Sequence, residues 1–389
     1  MYNLVKKSFR VHLYVMRILG HYPTRKHQTL YKIYAYFVYC VFTIPVPTLA
    51  SVYLLTEKNV DLAQLSDSAF LICQVGCFIA KFVPFWKNSD KIRQSIYMLE
   101  EPIFSQHSPK QETILSECVR ICRRNCWLNL SLVAMAFASW STAPFARNMG
   151  AYNLPIKVWL PYDFTVNEKI FYLTYLFVIA GVGNGAFASG VIDPLVAGLA
   201  YQATAQLKIL KHNLQFLSEH LDEEIVDVTN CLNKQELLYG RIKMCIKHHN
   251  AILKFVYLYE DTYSAVVFTQ FFASVLVICN ACLQLSMVQP FTYAFFAMVS
   301  FLVTMLTEIF LFSYYGTTLF EESNTVIDAI YMGQWYDYDV KSKEALIILM
   351  ERCKKPMVVT AGKILDLSLV TFTTILRRAY SLLAVLKNY

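Results

Sequence analysis

Apolar runs of about twenty residues recur along the chain, separated by stretches in which charged and apolar positions are mixed. Six of them lie at roughly 33–55, 62–85, 125–146, 170–198, 263–286 and 291–316. Each has the length a helix needs to cross the hydrocarbon layer of a bilayer, where only a helix or a closed barrel satisfies its own backbone. A seventh run, about 366–387, is more polar. Between the runs the pattern changes. Leu207, Leu210, Leu214 and Leu217 follow one another at spacings of three and four beside mixed charge. That is an amphipathic helix continuing from the fourth run out of the membrane. Residues 236–262 read as a similar extension leading into the fifth run. The pattern predicts an all-α polytopic membrane protein with seven transmembrane helices. It forms one domain over 1–389, with helical extensions at about 199–262 and 317–365 packed into a bundle on one side. No internal repeat is visible.

Composition agrees. The chain is 56% hydrophobic and 16% charged, with a mean hydropathy of +0.39, where a soluble domain carries about 25% charge. Net charge is +7, and its distribution sets the expected orientation. Seven Lys or Arg precede the first run, seven lie in 86–124, seven in 199–262 and six in 317–365. The alternate segments hold one (Lys58), three (in 147–169) and none. The positive-inside rule therefore predicts a cytoplasmic N-terminus, an extracellular C-terminus and a cytoplasmic bundle. No basic run with interleaved aromatics occurs outside helix-flanking positions, so no nucleic acid is expected as a partner. Arg10, His12 and Arg17 break up the first twenty residues, which lack a small-residue cleavage site. They do not read as a secretory signal, and the first span is expected to direct insertion.

Candidate chemistry is sparse. Cys118, Cys122 and Cys126 share one helix face, which cannot surround a metal tetrahedrally; packing is the better reading. Cys279 and Cys282 form a CxxC in mid-span, where a redox role is out of place. The stretch "GVGNGAFASG", 181–190, follows no strand and lies within the fourth run, so its small residues point to close helix approach, not phosphate binding. No HExxH, GxSxG or other catalytic set is present, and neither an enzyme nor a cofactor or metal is expected. Asp193 and Glu308 are acids within spans, open to two readings: helix–helix hydrogen bonds or gating.

The outer halves of the spans carry a more suggestive set. Tyr293 and Phe296 share a face of the sixth, and Tyr172, Tyr175 and Ile179 a face of the fourth. Phe70, Cys73 and Gln74 lie on the second, and Met135, Ala138, Ser139 and Thr142 on the third. Aromatics at helical spacing serve packing or an interfacial belt. Several such faces with small residues opposite would also make an apolar pocket with few polar groups, as small-molecule sites have. The loop "NLPIKVWLPYDF" frames Trp159 between Pro155 and Pro161, suggesting an ordered lid over the outer mouth.

The closing run, read by face, places Thr371, Thr374, Arg378, Ser381, Val385 and Asn388 on one stripe, polar except at Val385. Phe372, Ile375, Leu376, Ala379, Leu382, Leu383 and Leu386 occupy the other sides. A polar stripe in a membrane helix must face protein or water. One reading is a water-filled path with Val385 as a constriction that closes by dewetting; one helix encloses nothing, so several subunits would surround it. The other is a helix buried in its own bundle, with Arg378 paired to an acid.

The C-terminal third contains "LFSYYGTTLFEESNTVIDAIYMGQWYDYD" and "LMERCKKPMVVTAGKILDLSLVTFTTILRRAYSLLAVL". In these stretches the chain resembles the insect odorant receptor family. Gly316, Trp335–Tyr336, Lys355–Pro356, Ala361–Gly362 and Ser368–Leu369 match the family pattern in order. Weaker matches at Pro23, "LPYDF" and "QLKIL" extend it over most of the chain. The resemblance implies a short re-entrant helix near 8–20 and a cytoplasmic anchor bundle. It also implies a four-subunit cation channel opened directly by odorant, in which a variable subunit assembles with a shared co-receptor. It implies a place in the plasma membrane, in sensory neuron dendrites. The family's pore is lined by the last helix, with a valine gate and a polar residue three positions on, here Val385 and Asn388. Its pocket for a small apolar odorant lies between the outer halves of helices two, three, four and six, where the faces above sit. Lys387 and Arg378 depart from the family pattern, and a ring of four arginines would repel cations. That implies few copies per channel, and the missing cytoplasmic insertion sides with the variable subunit. A G-protein-coupled receptor would need the opposite orientation, and a transporter would need inverted repeats.

Overall fold

The computed structural model describes residues 4–22, 28–56, 76, 89–105, 108–146, 152–218 and 231–387. α1 (Leu4–Ile18) precedes the first span. That span comprises α2 (Gln28–Val38), a π-helical turn (Tyr39–Thr43) and α3 (Pro45–Thr56). α4 (Ser89–Met98) and α5 (Pro102–Ser105) lead to the long α6 (Pro109–Ala146). Then follow α7 (Glu168–Gln215), α8 (Cys231–Met287), α9 (Tyr293–Asn324), α10 (Val326–Met332) and α11 (Val340–Cys353). The last element is α12 (Leu369–Lys387).

Among the described residues five helical segments are long and apolar enough to cross a membrane: Thr29–Thr56, Lys110–Phe145, Glu168–Gln215, Lys234–Met287 and Tyr293–Met332. They correspond to the first, third, fourth, fifth and sixth expected spans. The second expected span, 62–85, lies outside the described residues. The seventh forms α12, whose threonines and two arginines keep it from the apolarity of the five.

α7 and α8 run unbroken for 48 and 57 residues, roughly 72 and 85 Å at 1.5 Å per residue, far more than a bilayer requires. The expected extensions are therefore continuous with their spans. Beyond the apolar lengths they meet each other, the end of α9, α10 and α11, with polar groups paired side chain to side chain among the contacts. Lys211 Nζ donates to Glu322 at 2.6 Å and to Thr325 at 2.9 Å. His248 Nε2 meets Gln206 Oε1 at 2.9 Å. His249 Nε2 lies 3.5 Å from Cys353 Sγ, whose thiol is pushed up to about 11 by burial.

Inside the bundle α6, α7 and α9 pack on one another. Small residues permit the approach: a Cβ on Gly190 would sit 3.1 Å from Val133, and Asn129 donates to the Gly190 carbonyl at 3.0 Å. Cys118 and Cys122 are buried in the same seam, their thiols facing the carbonyls of Tyr201 and Gly198 at 3.8 and 3.9 Å. Packing is thus their role. Glu308 is buried and accepts from Gln270 of α8 at 3.0 Å, and Asp193 accepts from Ser189 at 2.9 Å.

Two departures from simple helices stand out. The first span turns through a π-helix because Pro45 and Pro47 remove two backbone donors; Thr43 there accepts from Asn184 of α7 at 2.9 Å. The second is a small non-helical element in the otherwise all-α chain. Thr360–Ala361 (β1) pairs antiparallel with Leu365–Asp366 (β2) in a small hairpin, within the segment expected to be helical. Pro356 and the β-branched Val358, Val359 and Thr360 disfavour helix. Gly362 and Lys363 then reverse the chain at φ +62° and +58°, a conformation glycine adopts freely.

Candidate functional site

The last turns of α6 and the first turns of α7 and α9 converge on a few hydroxyls. Tyr293, the first residue of α9, donates to the Ser139 carbonyl of α6 at 2.8 Å and meets the Thr142 hydroxyl. Ser139 Oγ faces Ser300 Oγ of α9 at 3.4 Å. Tyr175 of α7 donates to the Ser141 carbonyl and packs edge-on against Phe145 at 5.3 Å. Four expected residues, Ser139, Thr142, Tyr175 and Tyr293, are thereby brought together. Ile179 is half-buried, and Ala138 is exposed. Met135, Tyr172 and Phe296 are 52%, 53% and 57% exposed and stand at the rim of this group rather than inside it. Phe70, Cys73 and Gln74 lie outside the described residues.

Residues that the sequence reading passed over complete the group. Phe171, Thr174 and Val178 form the buried face of α7, and Ser141, Phe145 and Ser300 supply contacts to the expected residues. Their three- and four-residue spacing was visible. It did not distinguish the face 171/174/178 from the face 172/175/179, because both read as aromatic or apolar stripes.

Residues 152–167, between α6 and α7, are tied down. Trp159 donates its N–H to the Leu49 carbonyl of the first span at 3.1 Å, and Ile156 and Val158 are buried. Tyr162 meets Thr174 at 3.1 Å, and Tyr152 packs edge-on against Phe171 at 5.2 Å. The Thr165 side chain and amide, donating to Asp163, hold that carboxyl below its usual range. Asn167 caps α7 by accepting from Lys169 N–H at 3.0 Å.

At the other end, the hairpin sits where α8, α9 and α12 meet. Glu260, Ser264 and Phe268 lie at four-residue spacing on one face of α8. Glu260 accepts from both the amide and the hydroxyl of Thr360. Ser264 donates to the Thr360 carbonyl at 2.7 Å and accepts Gly362 N–H on its own carbonyl at 3.0 Å. A Cβ on Gly362 would lie 2.7 Å from the Phe268 ring. Gly316 of α9 lets the hairpin's exit close in: a Cβ there would lie 2.1 Å from the Leu367 carbonyl oxygen. Thr317 accepts from Leu369 N–H at 2.9 Å. These docking points explain why the glycines singled out by sequence are there.

α12 then packs Ile375, Ala379 and the half-buried Phe372 against α8 and α9, with Phe310 and Phe372 edge-on at 5.7 Å. Thr374, Arg377, Arg378 and Ser381 are exposed on the opposite side. Among the described residues no acid lies within salt-bridge distance of Arg378. Val385 belongs to α12, but its side chain and all of Asn388 lie outside the described residues.

Comparison with known proteins agrees with this geometry. The 7tm Odorant receptor family model matches residues 61–380, and the chain belongs to that family, one of multi-pass membrane receptors and not of enzymes. It is 21% identical to odorant receptor Or1 of Anopheles gambiae over 98% of this chain and 95% of that one. Similarity to the odorant receptor coreceptor of Aedes aegypti reaches 28% but covers 37% of this chain and 30% of the other. The fold matches that of the insect olfactory receptor OR5 from Machilis hrabei, solved in complex with eugenol. The TM-score is 0.80 at 16% identity, covering 99% and 98% of the two chains.

Proposed function

We infer that this chain is the odorant-binding subunit of an odorant-gated cation channel, assembled as a tetramer with a co-receptor subunit in the plasma membrane of a sensory neuron. The observation that carries the reading is the orientation of α12. Its apolar side is spent on its own bundle, while Thr374, Arg378 and Ser381 face away from it. In lipid that edge would leave polar groups unsatisfied, so it belongs against a shared aqueous path. Val385 and Asn388 continue the same stripe as constriction and polar ring. A mid-helix arginine in every subunit would repel cations, which favours few copies of this chain per channel.

The ligand is a small apolar volatile, of the size of the eugenol bound by OR5, held between the outer halves of α6, α7 and α9 and the span at 62–85. Burying about 300 Å² of apolar surface contributes about 7 kcal/mol gross, and ordering costs bring this to roughly micromolar affinity. Occupancy reaches α12 through α9. Phe310 stacks on Tyr314 at 5.6 Å and touches Phe372, and Gly316 and Thr317 hold the start of α12. The extensions 199–262 and 317–365 form a cytoplasmic anchor, in which exposed Tyr331, Met332, Ile347 and Ile348 offer apolar contact to neighbouring subunits.

Expression with and without a co-receptor, recording current during odorant exposure, tests the reading. Odorant-evoked current is expected only with both chains. Ser381→Cys should make that current sensitive to a charged thiol reagent applied in the open state. Odorant responses that need G-protein signalling, or an epitope at the C-terminus that stays inaccessible from outside, would overturn it.

A further inference from the structure

The N-terminal part of the chain is charged in one direction only. The first 56 residues hold seven Lys or Arg and no Asp or Glu; the first acid is Glu57. α1 divides these residues into two faces. Ser8, Phe9, His12 and Met16 are buried against α6 and α7, with Gln202 donating to Ser8 at 2.8 Å and Phe9 filling the space beside Gly198. On the opposite side Arg10, Tyr14, Arg17 and Ile18 follow at positions i, i+4, i+7 and i+8, a single stripe. Both arginines are exposed, and Tyr14 and Ile18 are 64% and 52% exposed.

The level of this stripe relative to the membrane is set by α2. Tyr31 donates to the Arg17 carbonyl at 3.0 Å, and Tyr34 donates to the Ile18 carbonyl. The end of α1 is thus held against the first turns of the Thr29–Thr56 span. α6, on which α1 packs, exposes Arg123 and Arg124 one turn before an exposed Trp127, where it becomes apolar. No carboxylate is within salt-bridge distance of these four arginines among the described residues. Arg120, nearer the start of α6, meets Glu117 at 3.8 Å.

Arg17 lies over the Tyr22 ring at 5.5 Å, which leaves its N–H edge free of any carboxylate among the described residues; guanidinium groups without carboxylate partners, interleaved with a tyrosine and an isoleucine at the bilayer boundary, suit one environment. The rings and aliphatic groups sit at the level of the lipid glycerols while the guanidinium forks bind phosphate. We propose that the outer face of α1, continued by Arg123 and Arg124 of α6, is a binding surface for anionic phospholipid headgroups in the leaflet on that side. Each arginine is expected to contribute about fivefold to affinity. The site is independent of the odorant pocket and of the pore.

The test uses the full-length chain in neutral detergent micelles, with bound lipid counted by native mass spectrometry. Dioleoylphosphatidylglycerol is expected to bind at least about tenfold more tightly than dioleoylphosphatidylcholine. Arg10→Gln/Arg17→Gln should weaken phosphatidylglycerol binding by about twentyfold, while Arg10→Lys/Arg17→Lys, which keeps the charge, should keep most of it. On the unmutated protein the binding should fall steeply between 50 and 500 mM salt. Three results would overturn the proposal: equal binding of the two lipids, binding insensitive to salt, or an unchanged affinity in a folded Gln variant. Displacement of the lipid by inositol hexaphosphate at matched concentration would mean a soluble-phosphate site instead.

Discussion

The two halves of α7 are packed in opposite ways. Near its start Tyr172, Leu173 and Leu176 are mostly exposed, and Tyr175 is tied to α6 by a single hydrogen bond. From Ala188 to Ala200 every residue is buried, enclosed by α1, α6, α8 and α9. A close-packed stretch cannot shift without opening voids or forcing overlaps, so it moves as a unit. A stretch held by a few hydroxyls can admit a guest by exchanging those bonds. On the function proposed above, binding falls to the loose half and transmission to the dense half, and the hairpin, wedged between α8 and α9, is where transmission would reach α12.

The comparison breaks if the dense packing that continues from α7 through α9 to the hairpin tolerates added volume. Gly316→Val places atoms inside the Leu367 backbone and should destabilise by about 3 kcal/mol or more, read as lost surface expression and a lowered Tm in micelles. Gly240→Ala, in the same type of helix with open space around it, should be neutral or stabilise by up to about 1 kcal/mol.

His12 sharpens the picture by pH. It is fully buried in the α1 seam, neither ring nitrogen has a hydrogen-bond partner among the described residues, and burial lowers its pKa to about 3. The unfolded chain takes up that proton near 6.5 and the folded one does not, so stability falls as pH drops below 6.5, continuing down to about 3. The loss is about 2 kcal/mol between pH 6.5 and 5. Thermal unfolding in micelles across that range should show it, and His12→Phe should flatten the dependence.

Glu260→Ala removes the acceptor of two bonds from Thr360 and should cost about 1.5 kcal/mol. Hydrogen exchange at 359–367 should rise while odorant occupancy stays unchanged. The smallest effect belongs to the loose half. Tyr175→Phe and Tyr293→Phe should each cost under about 1 kcal/mol and move the half-maximal odorant concentration a few-fold; losses as large as that of Gly316→Val would erase the contrast.

Much of this was legible in the residue pattern. The apolar runs announced the long helices, and the leucines at 207–217 announced that α7 leaves the membrane without a break. The 3-4 alternation from Thr371 to Ser381 separated the two sides of α12 before any neighbour was known. The hairpin at 359–367 was not legible as such: Ala361–Gly362 was noticed, but a two-residue pairing produces no periodicity. Likewise Phe171 and Tyr172 differ in burial only because of what stands beside α7.

The sequence by itself determined which segments are helical, which of them are apolar enough for lipid, and which edge of the last helix is polar. These are properties of residues a few positions apart, and helical period and transfer free energy act at that range. The tertiary structure alone decided which of two similar faces of α7 is buried. It also decided that Glu260 and Gly316, far apart in the chain, grip one hairpin, and that the polar edge of α12 points away from its own bundle. Those outcomes depend on the fit between distant surfaces, which close packing selects and no local pattern encodes.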